Sequence, residues 1–171
     1  MRLDLHTHPL EAILFGPITR EVVAEIVHYA HLRGLDGIGA TEHHSTEVGY
    51  EIKRLVEQFF PGQLVVIPGQ EVEVDSHQEV ELYLPGGRVF RFLAHPVADR
   101  EFEGFDRVQG IEVDNGLHSH IDAARVEAVA KQHDLLLLSN SDAHSLAAIG
   151  QLSTEVAWED LMGRAIRICS V

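Results

Sequence analysis

Short apolar runs alternate with amphipathic stretches along most of the chain, which is the sequence form of βα units arranged around a parallel sheet or barrel. Strand-like runs cover residues 2–6, 36–41, 64–74, 89–94, 108–113, 135–140 and 153–157. Residues 19–33 carry a helical pattern: Thr19 is placed to cap, Glu21 sits in the first turn, and Val22, Val23, Ile26, Val27 and Ala30 form one apolar face. Gly34 ends it. Residues 50–60 repeat the pattern with Ile52, Leu55, Val56 and Phe59 before Pro61-Gly62. A third helix is expected over 121–133 and a short fourth over 158–166. The alternation breaks at 79–92, where two strand-like runs flank Pro85-Gly86-Gly87 and predict a hairpin with an extra antiparallel strand.

The chain has 171 residues, 45% of them hydrophobic, with no internal repeat, low-complexity tract or long linker. One domain spanning residues 1–171 is expected. No run approaches the roughly 18 consecutive apolar residues of a membrane span, and Met1 leads straight into a strand. A soluble cytoplasmic protein without membrane contact is the expectation. Cys169 is the single cysteine, which excludes an intramolecular disulfide and reads as a small buried hydrophobe. The 27 acidic residues outnumber the 13 basic ones, for a net charge of −14. Such a field disfavours binding to duplex nucleic acid. Divalent cations held by part of the acidic excess would lower it.

Five polar groups close apolar runs: Asp4-Leu5-His6-Thr7-His8, Thr41-Glu42-His43-His44, Pro68-Gly69-Gln70-Glu71, Ala94-His95-Pro96 and Ser141-Asp142-Ala143-His144. In parallel α/β folds the carboxyl ends of strands converge on one face, so these distant positions become neighbours. Two histidines spaced as His6 and His8 point the same way from a strand and can hold one ion. Of the twelve histidines, His28, His31 and His133 fall in helical patterns and read as surface residues. The ligand types are imidazole and carboxylate without thiolate, which suits zinc, manganese or iron in a catalytic site. Carboxylates such as Glu71 can bridge two ions. Such centres hydrolyse phosphate esters with metal-bound water as nucleophile.

The motifs DLHTH, TEHH, PGQE, AHP and SDAH, in this order from Asp4 to His144, resemble those of the PHP (polymerase and histidinol phosphatase) domain. The resemblance implies a distorted (β/α)7 barrel with the metal site at the C-terminal ends of the strands, and usually phosphoesterase activity. It implies that His6, His8, Glu71 and Asp142 form a first metal site. Glu71 would bridge to a second ion held also by His95, and His43 and His144 would hold a third. Family members usually add a His before the AHP motif, where this chain has Glu81. They also usually place a His or Asp soon after the first HxH, where this chain offers Glu11. Glu42 stands where a family Asp is common, and His44 where another is.

The run 110–116 resembles the family's fifth strand and its Asn-Gly turn, which places Glu112 or Asn115 near the rim of the site. Asn115 alternatively accepts a left-handed turn for structural reasons. His118 and His120 follow and are open to contact with substrate, helix capping or solvent exposure. Arg88, Arg91 and Arg107 are candidates for gripping phosphate oxygens. Three functions stay open. The first is a metal-dependent phosphoesterase acting on a small phosphorylated metabolite or nucleotide. The others are an amidohydrolase-type hydrolase, whose barrel usually needs at least about 200 residues, and a metal-binding accessory module without turnover.

Overall fold

The computed structural model describes residues 1–75, 77–97 and 104–168; Cys169 lies outside them. The chain begins with β1 (Arg2–Thr7), a short helix α1 (Pro9–Ala12), helix α2 (Arg20–Leu32), β2 (Gly37–Ala40), α3 (Glu47–Phe59) and β3 (Val65–Val74). Three further strands follow: β4 (His77–Leu84), β5 (Arg88–Leu93) and β6 (Gly110–Asn115). After them come α4 (Ala123–His133), β7 (Leu136–Asn140), a 3-10 turn (Leu146–Ala148), β8 (Thr154–Glu155), α5 (Trp158–Arg164) and β9 (Ile166–Arg167). Among the described residues, no helix is long and apolar enough to cross a membrane.

Local signals set these boundaries. Thr19 Oγ1 accepts from the Val22 amide and opens α2, as its sequence position predicts. Helix α4 starts at Ala123 rather than 121 because Asp122 is its cap and accepts from the Arg125 amide at 3.1 Å. Helix α3 starts at Glu47, ahead of the expected 50. The short helix α1 was not anticipated by the hydrophobic pattern, because one turn leaves no periodicity to read.

The strands form one sheet in the order β7-β6-β5-β4-β3-β2-β1-β8, with β9 alongside β5. Strands β1, β2 and β3 pair in parallel, as do β5, β6 and β7, while β4 runs antiparallel between β3 and β5. The expected hairpin around Pro85-Gly86-Gly87 is present. It replaces helical crossovers there, so the sheet departs from seven uniform βα repeats at β3, β4 and β5. The two ends of the sheet approach each other. Thr7 bridges in parallel to Ala143, the His8 amide donates to the Ala143 carbonyl at 2.9 Å, and the Leu5 amide donates to Asn140 Oδ1 at 2.9 Å. The result is a mixed α/β fold with a nearly closed, barrel-like sheet.

The interior is filled by Leu3, Leu5, Ile67, Val80, Leu82, Phe90, Phe92 and Leu138. A second apolar layer, with Val23, Ile26, Ile38, Ile52, Val56 and Val66, joins α2 and α3 to the outer face. At the seam, buried Asp4 accepts from the Ser141 amide and hydroxyl and from the Gly150 amide. Burial pushes the Asp4 carboxyl up to about 6 in spite of those three donors.

Candidate metal centre

Strand β1 carries His6, and His8 follows just past its end. Its register with β2 shifts between Asp4 and Thr7. Leu5 lies in the interior cluster with Phe92, and the His6 ring is itself 6.2 Å from the Phe92 ring. Strict alternation would send these adjacent residues to opposite faces, and the irregularity reconciles them. Glu71 lies within β3 rather than at its end, because β3 continues into the antiparallel segment. His95 and Asp142 each stand one residue beyond the position that follows a strand, β5 and β7, and have positive φ, 27° and 51°. His44 also has positive φ, 52°. Strained backbone of this kind concentrates at functional sites.

The side chains converge. His6 Nε2 lies 3.1 Å from His8 Nε2 and 3.6 Å from both Glu71 Oε2 and Asp142 Oδ1. His8 Nε2 is 3.2 Å from Asp142 Oδ1 and 3.5 Å from Glu71 Oε2. Glu71 Oε1 reaches His95 Nε2 at 2.9 Å, and its Oε2 reaches His43 Nδ1 at 3.2 Å. Glu11, on α1, links His43 at 3.6 Å to His144 at 3.4 Å. His118 Nε2 stands 3.6 Å from Asp142 Oδ2, and its ring is tilted against that of His95 with centroids 4.2 Å apart.

Four groups of candidate ligand atoms result, each within 4.8 Å of one another. They are His95, His118 and Asp142; His6, Glu71 and His95; His6, His8 and Asp142; and His8, Glu11, His43 and His144. Successive groups share members. The individual separations match the fit of a cation, since ligands about 2.1 Å from one ion stand about 3 to 3.5 Å from each other. Two atoms give a sharper test of fit. Among the described residues, Asp142 Oδ1 and His8 Nδ1 are buried with no hydrogen-bond partner, a costly state for polar atoms unless a ligand satisfies them.

The electrostatics agree. Burial opposes a charge on His6, but Glu112, Glu71 and Asp142 outweigh it and hold the ring well above the ordinary imidazole range. Burial likewise opposes charge on Glu71 and Asp142, yet the histidines around them hold both carboxyls well below the usual range. Burial draws His8 and His118 down, toward the neutral form that binds a metal. The centre demands positive charge, and among the described residues Glu11, Glu71, Glu112 and Asp142 form ion pairs only with histidines.

Several sequence expectations need correction. Glu81 is turned away from the centre: it pairs with Gln70 and Arg91 across the ladder, whereas Glu71 pairs with Val80 on the interior face. Its carboxylate is taken by Gln70, Tyr83 and Arg91. Arg91 is thereby committed, Arg88 donates to the Met162 and Ala165 carbonyls, and Arg107 meets Glu79 at 3.4 Å. None of the three faces the cluster. Glu112 is not at the rim but fully buried beneath His6. Asn115 has no left-handed backbone; its Oδ1 accepts from the Leu117 and His118 amides while its Nδ2 donates to Glu112 and Asp142. His44 and His120 are exposed and join no group.

Glu42 is buried behind α1, where Oε1 accepts from the Leu10 amide and so anchors the turn that presents Glu11. Burial pushes its carboxyl up to about 7. Of the roles open to His118, the structure favours one at the site, since it groups the ring with His95 and Asp142 as a candidate ligand. The signal was the Asn-Gly turn three residues earlier. Gly116 is required there, since a Cβ would stand 2.5 Å from the Ser141 carbonyl oxygen. Asn140 escaped notice altogether; it ties Leu5 to Glu112 through its two amide atoms.

Fold and cluster together define a barrel-like α/β protein in which side chains able to hold metal ions are gathered together. Residues 120–167 match the family model PHP_C, described as PHP-associated. The chain has no match among curated proteins. Among solved structures it is similar to a protein of Bifidobacterium adolescentis proposed to be a metal-dependent phosphoesterase, with 15% identity, TM-score 0.71 and coverage of 97% of both chains. It is also similar to an amidohydrolase from Chromobacterium violaceum solved with bound sulfate and no metal, with 15% identity, TM-score 0.64 and 98% of both chains covered. A third likeness is to PsfC from Pseudomonas syringae, with 18% identity, TM-score 0.64, and coverage of 87% of this chain and 78% of that one. Over residues 120–167 the chain is thus similar to PHP-associated sequences, and over nearly its whole length it shares the fold of these structures.

Proposed function

We propose that this protein is a metal-dependent hydrolase, and specifically a phosphoesterase acting on a small phosphorylated substrate. The observation that carries the reading is the run of four ligand groups linked through His6, His8, His95 and Asp142. Linked groups suit a polynuclear centre of two or three zinc, manganese or iron ions, with Glu71 and Asp142 as shared carboxylates and His6, His8, His43, His95, His144, Glu11 and His118 as the other ligands. When bound, such ions activate water and offset charge on phosphoryl oxygens.

The protein's own side chains set the geometry. Glu112 fixes the His6 ring, Asn115 holds Glu112 and Asp142 in mutual register, and the Asp142 carbonyl accepts from His144 Nδ1 at 2.9 Å so that Nε2 faces Glu11. The interior aromatic floor, Phe90 and Phe92, excludes water from below.

A second reading, amidohydrolase-type hydrolysis, is favoured by the structural likeness to the Chromobacterium violaceum amidohydrolase. The two separate in one assay. The protein, reconstituted with manganese, zinc or iron, is offered phosphomonoesters, phosphodiesters, nucleobases and cyclic amides. Phosphate release that is abolished by chelator and by His6→Ala supports the phosphoesterase. Ammonia release or amide cleavage supports the alternative, and metal uptake without any turnover supports an accessory module.

A further inference from the structure

Four of the exposed large apolar side chains stand within four residues of a cluster member. Leu14 and Phe15 follow Glu11, Val97 follows His95, and Leu117 precedes His118. The first pair is the more telling. Leu14 is 89% exposed and Phe15 71%, and both have left-handed backbone, φ 56° and 60°, a region that residues with a Cβ normally avoid.

The segment is nevertheless firmly built. The amides of Ile13 and Phe15 donate to the Leu10 carbonyl, that of Leu14 to Glu11 and that of Gly16 to Ile13. Ile13 packs on the core layer under α2 and α3. A bonded turn that holds two large apolar groups in disfavoured backbone and leaves them in water gains nothing for the fold from those groups. Strain retained in this way points to function.

The turn also adjoins one of two exposed parts of the centre, the other being His118, whose side chain is 35% exposed. The side chains of His43, His144 and Glu11 are 38%, 34% and 25% exposed, against 2% or less for His6, His8, Glu71 and Asp142. A substrate that enters on this side passes the residues beside Glu11. Leu117, fixed next to His118 by the Asn115 side chain, extends the apolar rim.

We propose that Leu14 and Phe15 form an apolar lip that selects phosphate monoesters whose esterified group is aromatic or similarly apolar. The proposal rests on the phosphoesterase reading and adds which esters it takes. Phenylphosphonate and methylphosphonate, which cannot be turned over, serve as probes of the manganese-loaded full chain by calorimetry. The parent is expected to prefer phenylphosphonate at least about tenfold, about 1.4 kcal/mol.

Glycine at these positions removes the side chain and suits the positive φ. Phe15→Gly should thus keep the parent's thermal midpoint while cutting the preference, and the Leu14→Gly/Phe15→Gly pair should bring it close to one. Equal affinity of the parent for both probes, or a preference that survives in the double variant, overturns the lip while leaving ester hydrolysis standing. Binding of neither probe, together with no ester hydrolysis, overturns the phosphoesterase reading and the lip with it.

Discussion

His6 Nδ1 lies 3.0 Å from Glu112 Oε1, with both side chains completely buried. Burial opposes ionisation of Glu112, but the His6 ring and the Asn115 and Asn140 amides hold its carboxyl below the usual range. An ionised carboxylate only accepts, so Nδ1 carries the hydrogen and Nε2 is the atom turned toward Glu71, Asp142 and His8. The pair thus chooses which nitrogen of His6 is offered to the centre.

Replacing this carboxylate tests that control. Glu112→Gln should lower metal affinity by about 10- to 100-fold, the usual cost of losing such an orienting partner. Equilibrium dialysis against manganese or zinc reads the affinity, and circular dichroism verifies the fold. Unchanged affinity would remove Glu112 from the machinery.

The Glu71 carboxylate meets His6, His8, His43 and His95, whereas the His44 side chain belongs to none of the groups. Glu71→Gln should therefore strip more metal from the purified protein than His44→Ala does. Elemental analysis of the two variants decides it, and equal metal content would eliminate Glu71 as the shared carboxylate.

Glu11 serves the open end alone, between His43 and His144. Glu11→Gln should remove about one ion per chain and lower ester turnover by about tenfold or more, with the buried ions retained. Loss of every ion, or of none, would contradict this division.

Tyr83 offers a pH signature remote from the centre. Burial and the Glu81 carboxylate, which accepts from its hydroxyl at 2.7 Å, push the phenol well above its ordinary value. The folded state then binds the proton more tightly than the unfolded chain, so this contribution to stability is complete below the ordinary phenol pKa of about 10 and fades as pH rises past it. Absorbance at alkaline pH should show a late phenolate step that disappears in Tyr83→Phe.

Asp4 fastens the seam between β1 and the segment after β7. Asp4→Ala leaves the Ser141 and Gly150 donors buried without an acceptor and should cost about 2 to 4 kcal/mol, read from chemical denaturation. A change below about 0.5 kcal/mol would show that the seam is held by backbone pairing alone.

The motifs made much of the site legible because each pairs a strand end with a side chain that has little reason to be there except as a ligand. His6, His8, His43, His95, Asp142 and His144 are drawn together for that reason, and Glu11 follows as the lone ionisable group in its loop. Glu81 was misread because motif spacing says nothing of ladder register: one position along β4 separates the interior face from the outer one. The arginines were misread because charge is visible in a sequence while the carbonyls and carboxylates that absorb it are not. Glu112 and Asn140 looked like ordinary strand residues, since orienting another side chain leaves no periodic trace.

The bridge between Thr7 and Ala143 has a consequence for how the centre comes into being. His8 and Asp142 stand at nearly opposite ends of the sequence, and they become neighbours only when the first and last parallel strands meet. Contacts of that separation form late, after the intervening chain has been ordered. Cation affinity is therefore a property of the finished fold rather than of any fragment of it. Conversely, a cation bound across that seam would stabilise the folded form over the unfolded chain in proportion to the logarithm of its excess over the dissociation constant, and so would act as a clasp on the structure as well as a source of chemistry.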